Sequence, residues 1–261
     1  MKTFNYHSAK DVKEASKLAS PNSAFLAGGM TTLPSMKLGL ASYKDIIDIK
    51  KIKKLSGIKV TSKTVVIGAT TKHVEVANSK EIKKAIPSLA KLAEGIGDPQ
   101  VRNRGTIGGS IANNDLAADY PSACIALNAM IVTNNRKVIA DKFFRGMFET
   151  CLKKTEIIEA IEFEIPDKSS YAKFPNPASR YAIVGVYVAK LKKEIRVAVT
   201  GVESFVFRSK KLEEALTRDF STSSIDNINI SSEGFNSDIH ASAEYRAHII
   251  KVMAKKAVSN C

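Results

Sequence analysis

With 261 residues, 44% hydrophobic and 25% charged, the chain can bury a core without disulfide or metal staples and has the composition of an ordinary soluble globular protein. No apolar run reaches the roughly 20 residues that cross a bilayer, and no signal-peptide pattern opens the sequence, so a cytoplasmic protein without a transmembrane segment is expected. The net charge of +14 raises nucleic acid as a partner, but the lysines run along the whole chain, as in Lys80-Glu81-Ile82-Lys83-Lys84, and no helix-turn-helix, RNA-binding or zinc signature accompanies them.

In chain order, Ser8 is placed to cap a helix from about Asp11 to Ala19, followed by the turn residues Pro21-Asn22. Ala24-Phe25-Leu26-Ala27 reads as a short buried strand running into Gly28-Gly29, and Leu33 to Leu40 as a helical turn begun by Pro34. Asp45 to Ile49 and Thr64 to Ile67 are strands by their β-branched content. A helix is expected near Thr71 and another after Pro87, with Leu89, Leu92 and Ala93 on one face. Glu94 to Gln100 is dense in turn residues, and Asp119-Tyr120-Pro121 opens an apolar helix through Leu127.

Ile157 to Ile165 reads as a strand that stops at Pro166, and Pro166 to Pro177 as a turn-rich boundary. Beyond it, Tyr181 to Ala189 and Ile195 to Val202 form two paired strands, with a third at Phe205 to Phe207. Helices fit Lys210 to Thr217 and Ala241 to Ser259, the latter placing Tyr245, Ile249, Val252 and Met253 on one side. The polar run Ser221 to Ser232 is expected to be loop.

Two segments carry chemistry. Phe25-Leu26-Ala27-Gly28-Gly29-Met30-Thr31-Thr32 ends a strand in a glycine pair and hydroxyls, and Thr106-Ile107-Gly108-Gly109-Ser110 has a hydroxyl on each side of its pair. A diphosphate is held by converging backbone N–H groups, and glycine removes the Cβ that blocks close approach. Neither segment matches the dinucleotide G-x-G-x-x-G or the P-loop, and each pair alone suits a tight turn. Cys124, Cys151 and Cys261 form no C-x-x-C pair and cannot supply the four thiolates of an iron–sulfur cluster. Cys124 reads as a small buried hydrophobe, and the four histidines show no metal spacing. Any metals of a redox chain sit on other chains.

The run Ile96-Gly97-Asp98-Pro99-Gln100-Val101-Arg102-Asn103-Arg104-Gly105-Thr106-Ile107-Gly108-Gly109-Ser110-Ile111-Ala112, continuing to Ala118-Asp119-Tyr120-Pro121-Ser122-Ala123, resembles the FAD-binding subunit of molybdenum hydroxylases, in particular the medium subunit of aerobic carbon monoxide dehydrogenase and its relatives. Ala27-Gly28-Gly29-Met30-Thr31, with Leu33-Pro34 and Met36-Lys37-Leu38, matches the family's first flavin loop, and Ile67-Gly68-Ala69-Thr70-Thr71 a further segment. Asp238 to His248 resembles the family's C-terminal helix. The resemblance spans essentially the whole chain.

It implies an α+β protein. A flavin domain of the p-cresol methylhydroxylase type would cover residues 1–166, in two α/β subdomains split near residue 55. A small C-terminal α+β domain with an antiparallel sheet, of the carbon monoxide dehydrogenase flavoprotein type, would cover residues 167–261. By resemblance, Leu26, Ala27, Gly28, Gly29, Met30 and Thr31, with Thr106, Ile107, Gly108, Gly109 and Ser110, hold the diphosphate and adjoining ribose of FAD. Asp119 would contact the FAD, Lys173 matches a family lysine near the flavin, and Tyr181 would pack near the ring. Read without the resemblance, Lys173 is a solvent-facing lysine and Tyr181 a core strand aromatic.

The family places molybdopterin on a large partner chain and [2Fe-2S] clusters on a small one, in a dimer of heterotrimers, and this chain would pass electrons from those clusters to an external acceptor. No side chain here needs to be a catalytic acid, base or nucleophile. Met30, Asn113, Asn114 and Leu116 depart from the family pattern, and the last three are expected to alter packing around the ring or adenine. A stand-alone flavin oxidoreductase of the same fold and a basic nucleic-acid-binding module remain as alternatives.

Overall fold

The computed structural model describes residues 1–261. β1 (Asn5–Ser8), β2 (Ser23–Leu26) and β3 (Asp45–Asp48) form a parallel sheet in the order β1-β3-β2. α1 (Val12–Leu18) and α2 (Thr32–Lys37) make the connections. Asp11 caps α1 by accepting from the Glu14 N–H. Ser8, expected to be that cap, is the last residue of β1, in register with Asp48. Four extended residues before a helix are too few to show a strand's alternation.

β4 (Ile58–Val60) and β5 (Thr64–Gly68) open a second sheet. The chain then runs through α3 (His73–Asn78), α4 (Lys80–Ala85), α5 (Pro87–Glu94), α6 (Pro99–Arg104), α7 (Ile107–Asn113) and α8 (Tyr120–Ala126). It returns through β6 (Met130–Thr133), β7 (Lys137–Ile139), the small hairpin of β8 (Phe144–Gly146) and β9 (Glu149–Thr150), and β10 (Ile158–Glu164). The second sheet is antiparallel, in the order β4-β5-β10-β6-β7. Its face buries Val65, Ile67, Ile131, Ile161 and Phe163 in one core with the apolar sides of α5 and α8. Cys124 lies in that core, where burial pushes its thiol far above the ordinary range.

β11 (Lys168–Pro175), β12 (Ala182–Lys190), β13 (Ile195–Thr200) and β14 (Phe207–Arg208) form a third sheet, antiparallel in sequence order. The stretch read as turn-rich boundary is thus largely β11, held by eight register pairs to β12; its two serines and two lysines interrupt the apolar pattern. On β12, Val184, Val186 and Val188 face one core with α9 (Lys210–Arg218) and α10 (Ala243–Ser259), while Tyr187 and Ala189 enter the core of the second sheet. A strand covered on both faces reads as a continuous apolar run, as β12 does. On α10 the buried side is Arg246, Ile249, Ile250, Met253, Ala254 and Ala257. Tyr245 and Val252, expected beside Ile249, are 43% and 40% exposed, because the apolar stripe is offset by one residue.

Candidate functional site

Both glycine segments open on one cleft of about 440 Å³, within the range of small-ligand sites. The strand-to-helix crossover of the parallel sheet delivers the first segment there. β2 ends at Leu26, and Ala27 to Thr31 cross to α2. The backbone N–H groups of Ala27, Gly28, Gly29, Met30 and Thr31 find no acceptor within the chain. Gly29 has φ +77°, a left-handed turn that glycine adopts without a Cβ penalty. A curled run of free amides is an anion-binding concavity. Leu26 is buried beneath the cleft rather than on its wall.

The second segment is built differently. Thr106 is the N-cap of α7, its hydroxyl oxygen accepting from the Gly109 N–H at 3.2 Å. The Ile107 N–H donates to Thr71 O at 3.1 Å and the Gly108 N–H to Ala69 O at 2.8 Å. The Ile107 and Gly108 amides, expected to cradle phosphate, are therefore spent on architecture. Ile107 is core, and Gly108 packs on β5's extension, where an added Cβ would lie 2.5 Å from that of Ala69. What this segment shows the cleft is Thr106, Gly109 and Ser110. The Thr106 and Ser110 hydroxyls donate to no group of the chain.

The signature before it positions the pair of segments. Asp98 caps α6, accepting from the Val101 N–H at 2.8 Å, and Pro99 fills the first turn, where its missing donor costs nothing. This helix is where turn residues alone were expected. Arg102 reaches back to the carbonyls of Ile96 and Gly97 at 3.0 and 2.8 Å. α6 then presents its last carbonyl to the first segment: a Cβ on Gly28 would lie 2.2 Å from Arg104 O and 2.9 Å from Gly105 Cα. The two segments touch, and glycine at 28 is the condition for it.

Asp119 borders the cleft but is buried and already engaged. Its carboxylate accepts from the Tyr171 hydroxyl and pairs with Lys173 Nζ at 3.0 Å. Burial holds this carboxyl above the usual range, with the Lys173 ammonium and the Tyr171 hydroxyl pulling it down. Lys173 is neither solvent-facing nor on the cleft wall. Its side chain is 11% exposed, and Nζ also donates to Gly95 O at 2.9 Å and Arg180 O at 3.0 Å. Tyr181 is not core. It lies just before β12, 45% exposed, on the cleft.

Asn113 and Met30 also line the cleft. Asn114 does not. It ends α7 in the left-handed conformation, fully buried, and its side-chain amide donates to Gly146 O and Glu149 O at 2.7 and 2.8 Å. Leu116 contributes its carbonyl to Thr200 and Gly201. These two departures tie elements together. His73 and Arg180 line the cleft without having been singled out from the sequence. A histidine at the first position of a short helix and an arginine in a loop carry no spacing signal.

Residues 2–167 match the family model for the FAD binding domain in molybdopterin dehydrogenase. The chain belongs to this family. It is 35% identical to the glyceraldehyde dehydrogenase medium chain of Sulfolobus acidocaldarius, over 97% of this chain and 96% of that one. It is 34% identical to the carbon monoxide dehydrogenase medium chain of Hydrogenophaga pseudoflava, over 98% and 96%. The fold superposes with a TM-score of 0.88 on a carbon monoxide dehydrogenase structure from Hydrogenophaga pseudoflava, covering 99% and 96% of the two chains at 34% identity. The chain is thus an FAD-binding subunit of a multi-subunit molybdenum hydroxylase, with the α+β fold of that family. No helix is long and apolar enough to cross a membrane.

Proposed function

We propose that Ala27 to Thr31, joined by Thr106 and Ser110, hold the diphosphate of FAD, and that the chain carries electrons from iron–sulfur clusters of a small partner subunit to an external acceptor. The observation that carries this reading is the row of five backbone amides without an acceptor, curled at Gly29 on the cleft wall. A diphosphate supplies the anionic oxygens that such a row lacks. The contact of Gly28 with Arg104 and Gly105 brings the Thr106 and Ser110 hydroxyls to the same place.

FAD bound there supplies the redox chemistry, accepting and releasing electrons. The chain binds and orients it. Tyr181 offers an aromatic surface at the cleft, and Lys173 holds that surface by bonding the carbonyl of Arg180, its neighbour. Asp119 keeps Lys173 in place and satisfied. In this reading Lys173 and Asp119 act on the cofactor through the wall they build.

The flavin-binding part is taken as residues 1–166 and the C-terminal part as 167–261. The family match over residues 2–167 supports this, as does the passage from β10 to β11 between separate sheets. The small iron–sulfur and large molybdopterin subunits would complete a dimer of heterotrimers in the cytoplasm, and the large subunit would select the substrate. Relatives named for glyceraldehyde and for carbon monoxide have nearly equal identity to this chain, which fits a substrate chosen elsewhere. Co-expression with the neighbouring genes tests the whole reading. A complex with one FAD per copy of this chain, whose flavin is reduced only when the partners are present, is expected. A monomer that reduces a substrate unaided, or a colourless protein that binds nucleic acid, would sink it.

A further inference from the structure

His73 opens α3 with its backbone N–H bonded to Gly105 O at 3.0 Å. Its ring is 4% exposed, inclined on the Tyr120 ring at 5.3 Å between centroids, and still part of the cleft wall. Nδ1 is sealed and has no partner. A buried polar atom without a partner is costly and calls for a reason. Gly105 leaves room for the other nitrogen: a Cβ there would lie 2.5 Å from Nε2. Gly28, the second residue of the free amide row, packs on that same Gly105. The imidazole is thus buried behind the junction of the two segments, with Nε2 against Gly105 and the residue on the cleft wall.

We propose that His73 is a side-chain donor to the FAD diphosphate, its Nε2–H reaching a phosphate oxygen beside the amide row. This rests on FAD occupying the cleft as read above. The buried setting keeps the ring neutral in the free chain, at about 4, through desolvation first and then the Arg102 guanidinium. The charged and titratable groups facing it are Arg102 from α6 and Tyr120 from α8. A neutral imidazole carries one N–H, and placing it on Nε2 leaves the sealed Nδ1 as a bare acceptor. A diphosphate at Nε2 favours the protonated ring, so binding raises the value at which His73 titrates.

The test uses the full chain, freed of flavin and labelled with nitrogen-15 at histidine, titrated by NMR with FAD and separately with riboflavin. FAD is expected to shift the His73 ring signals and raise its titration by a unit or more, and riboflavin, which has no phosphate, to leave both unchanged. His73→Leu should weaken FAD binding about 10- to 100-fold, the range of a hydrogen bond to a charged group, and His73→Gln, which keeps a donor, should recover most of it. Bound FAD with an unmoved His73, an equal response to riboflavin, or His73→Gln as weak as His73→Leu would each overturn the proposal. A wild-type chain that takes up no FAD overturns the cofactor reading itself, and is told apart by its lack of flavin absorbance.

Discussion

Three glycines of similar appearance do three different things. Gly28 lets two backbone segments meet, and Gly28→Ala should abolish flavin retention while the third sheet and its core persist. The check is flavin absorbance against circular dichroism. Gly108 is a packing residue on Ala69, so a bulky residue there should lower the melting temperature before it reports on flavin. Gly39 has φ +75° with open space around it. Gly39→Ala should therefore cost about 1–2 kcal/mol of strain and leave flavin binding as it is.

The buried Asp119–Lys173 pair makes its own prediction. Removing one partner strands the other, at about 3–5 kcal/mol. Asp119→Ala and Lys173→Met should each destabilise by that order, and the double variant by less than their sum in a denaturant cycle. Additive costs would show that the pair is not coupled.

Among the elements, Asn114 and Glu156 each tie separate segments together. Asn114 closes α7 and clamps the β8–β9 hairpin with two hydrogen bonds. Asn114→Gly keeps the left-handed backbone and loses the clamp, at a cost of about 1–3 kcal/mol. Glu156 is bonded by Arg136 and by the Thr133 hydroxyl at the β6–β7 turn. The Arg136 guanidinium first, then the Lys153 N–H and Thr133, hold its carboxyl at about 2 against a usual 4.5, despite burial. A lowered carboxyl stabilises the fold above 4.5 and ceases to as pH falls toward 2. Acid titration of stability should be steeper in that window for the wild type than for Glu156→Gln; identical slopes would contradict the ion pair's role.

These elements also show what the sequence reveals and what it hides. Apolar runs bounded by prolines and turn residues place α8, β10 and the β12–β13 pair to within about two residues, and Pro87 marks the start of α5. Each glycine pair alone suits a tight turn; the two segments are readable because they stand beside hydroxyls in runs that resemble the family. Local competition hid the rest. α6 is capped by an Asp-Pro that also begins turns, and β11 mixes serines and lysines with Tyr171 and Phe174 in no regular alternation. Nothing local could tell that Gly108 faces Ala69 rather than the cleft, or that Lys173 turns inward, since both depend on contacts far along the chain.

Across the whole molecule, the cleft lies where separate layers meet. The parallel sheet sends in the amide row, the helices over the second sheet send in α7 and Asp119, and the β11–β12 connection of the third sheet sends in Arg180 and Tyr181. β12 serves two cores at once, and Arg196 of β13 pairs with Asp141 beyond the second sheet. These shared contacts join the second and third sheets at the end of β12 away from Tyr181. The site is therefore legible only in part from any one segment, although one segment suffices to name the family.

In this reading FAD is held by the free backbone amides of Ala27 to Thr31. Residue-resolved amide hydrogen exchange of the full chain, with and without FAD, tests it most directly. The five amides should exchange rapidly in the free chain and become strongly protected when one FAD is bound, while the Ile107 and Gly108 amides, already bonded to Thr71 and Ala69, change little. Stoichiometric FAD with unprotected amides at residues 27–31 would contradict the account.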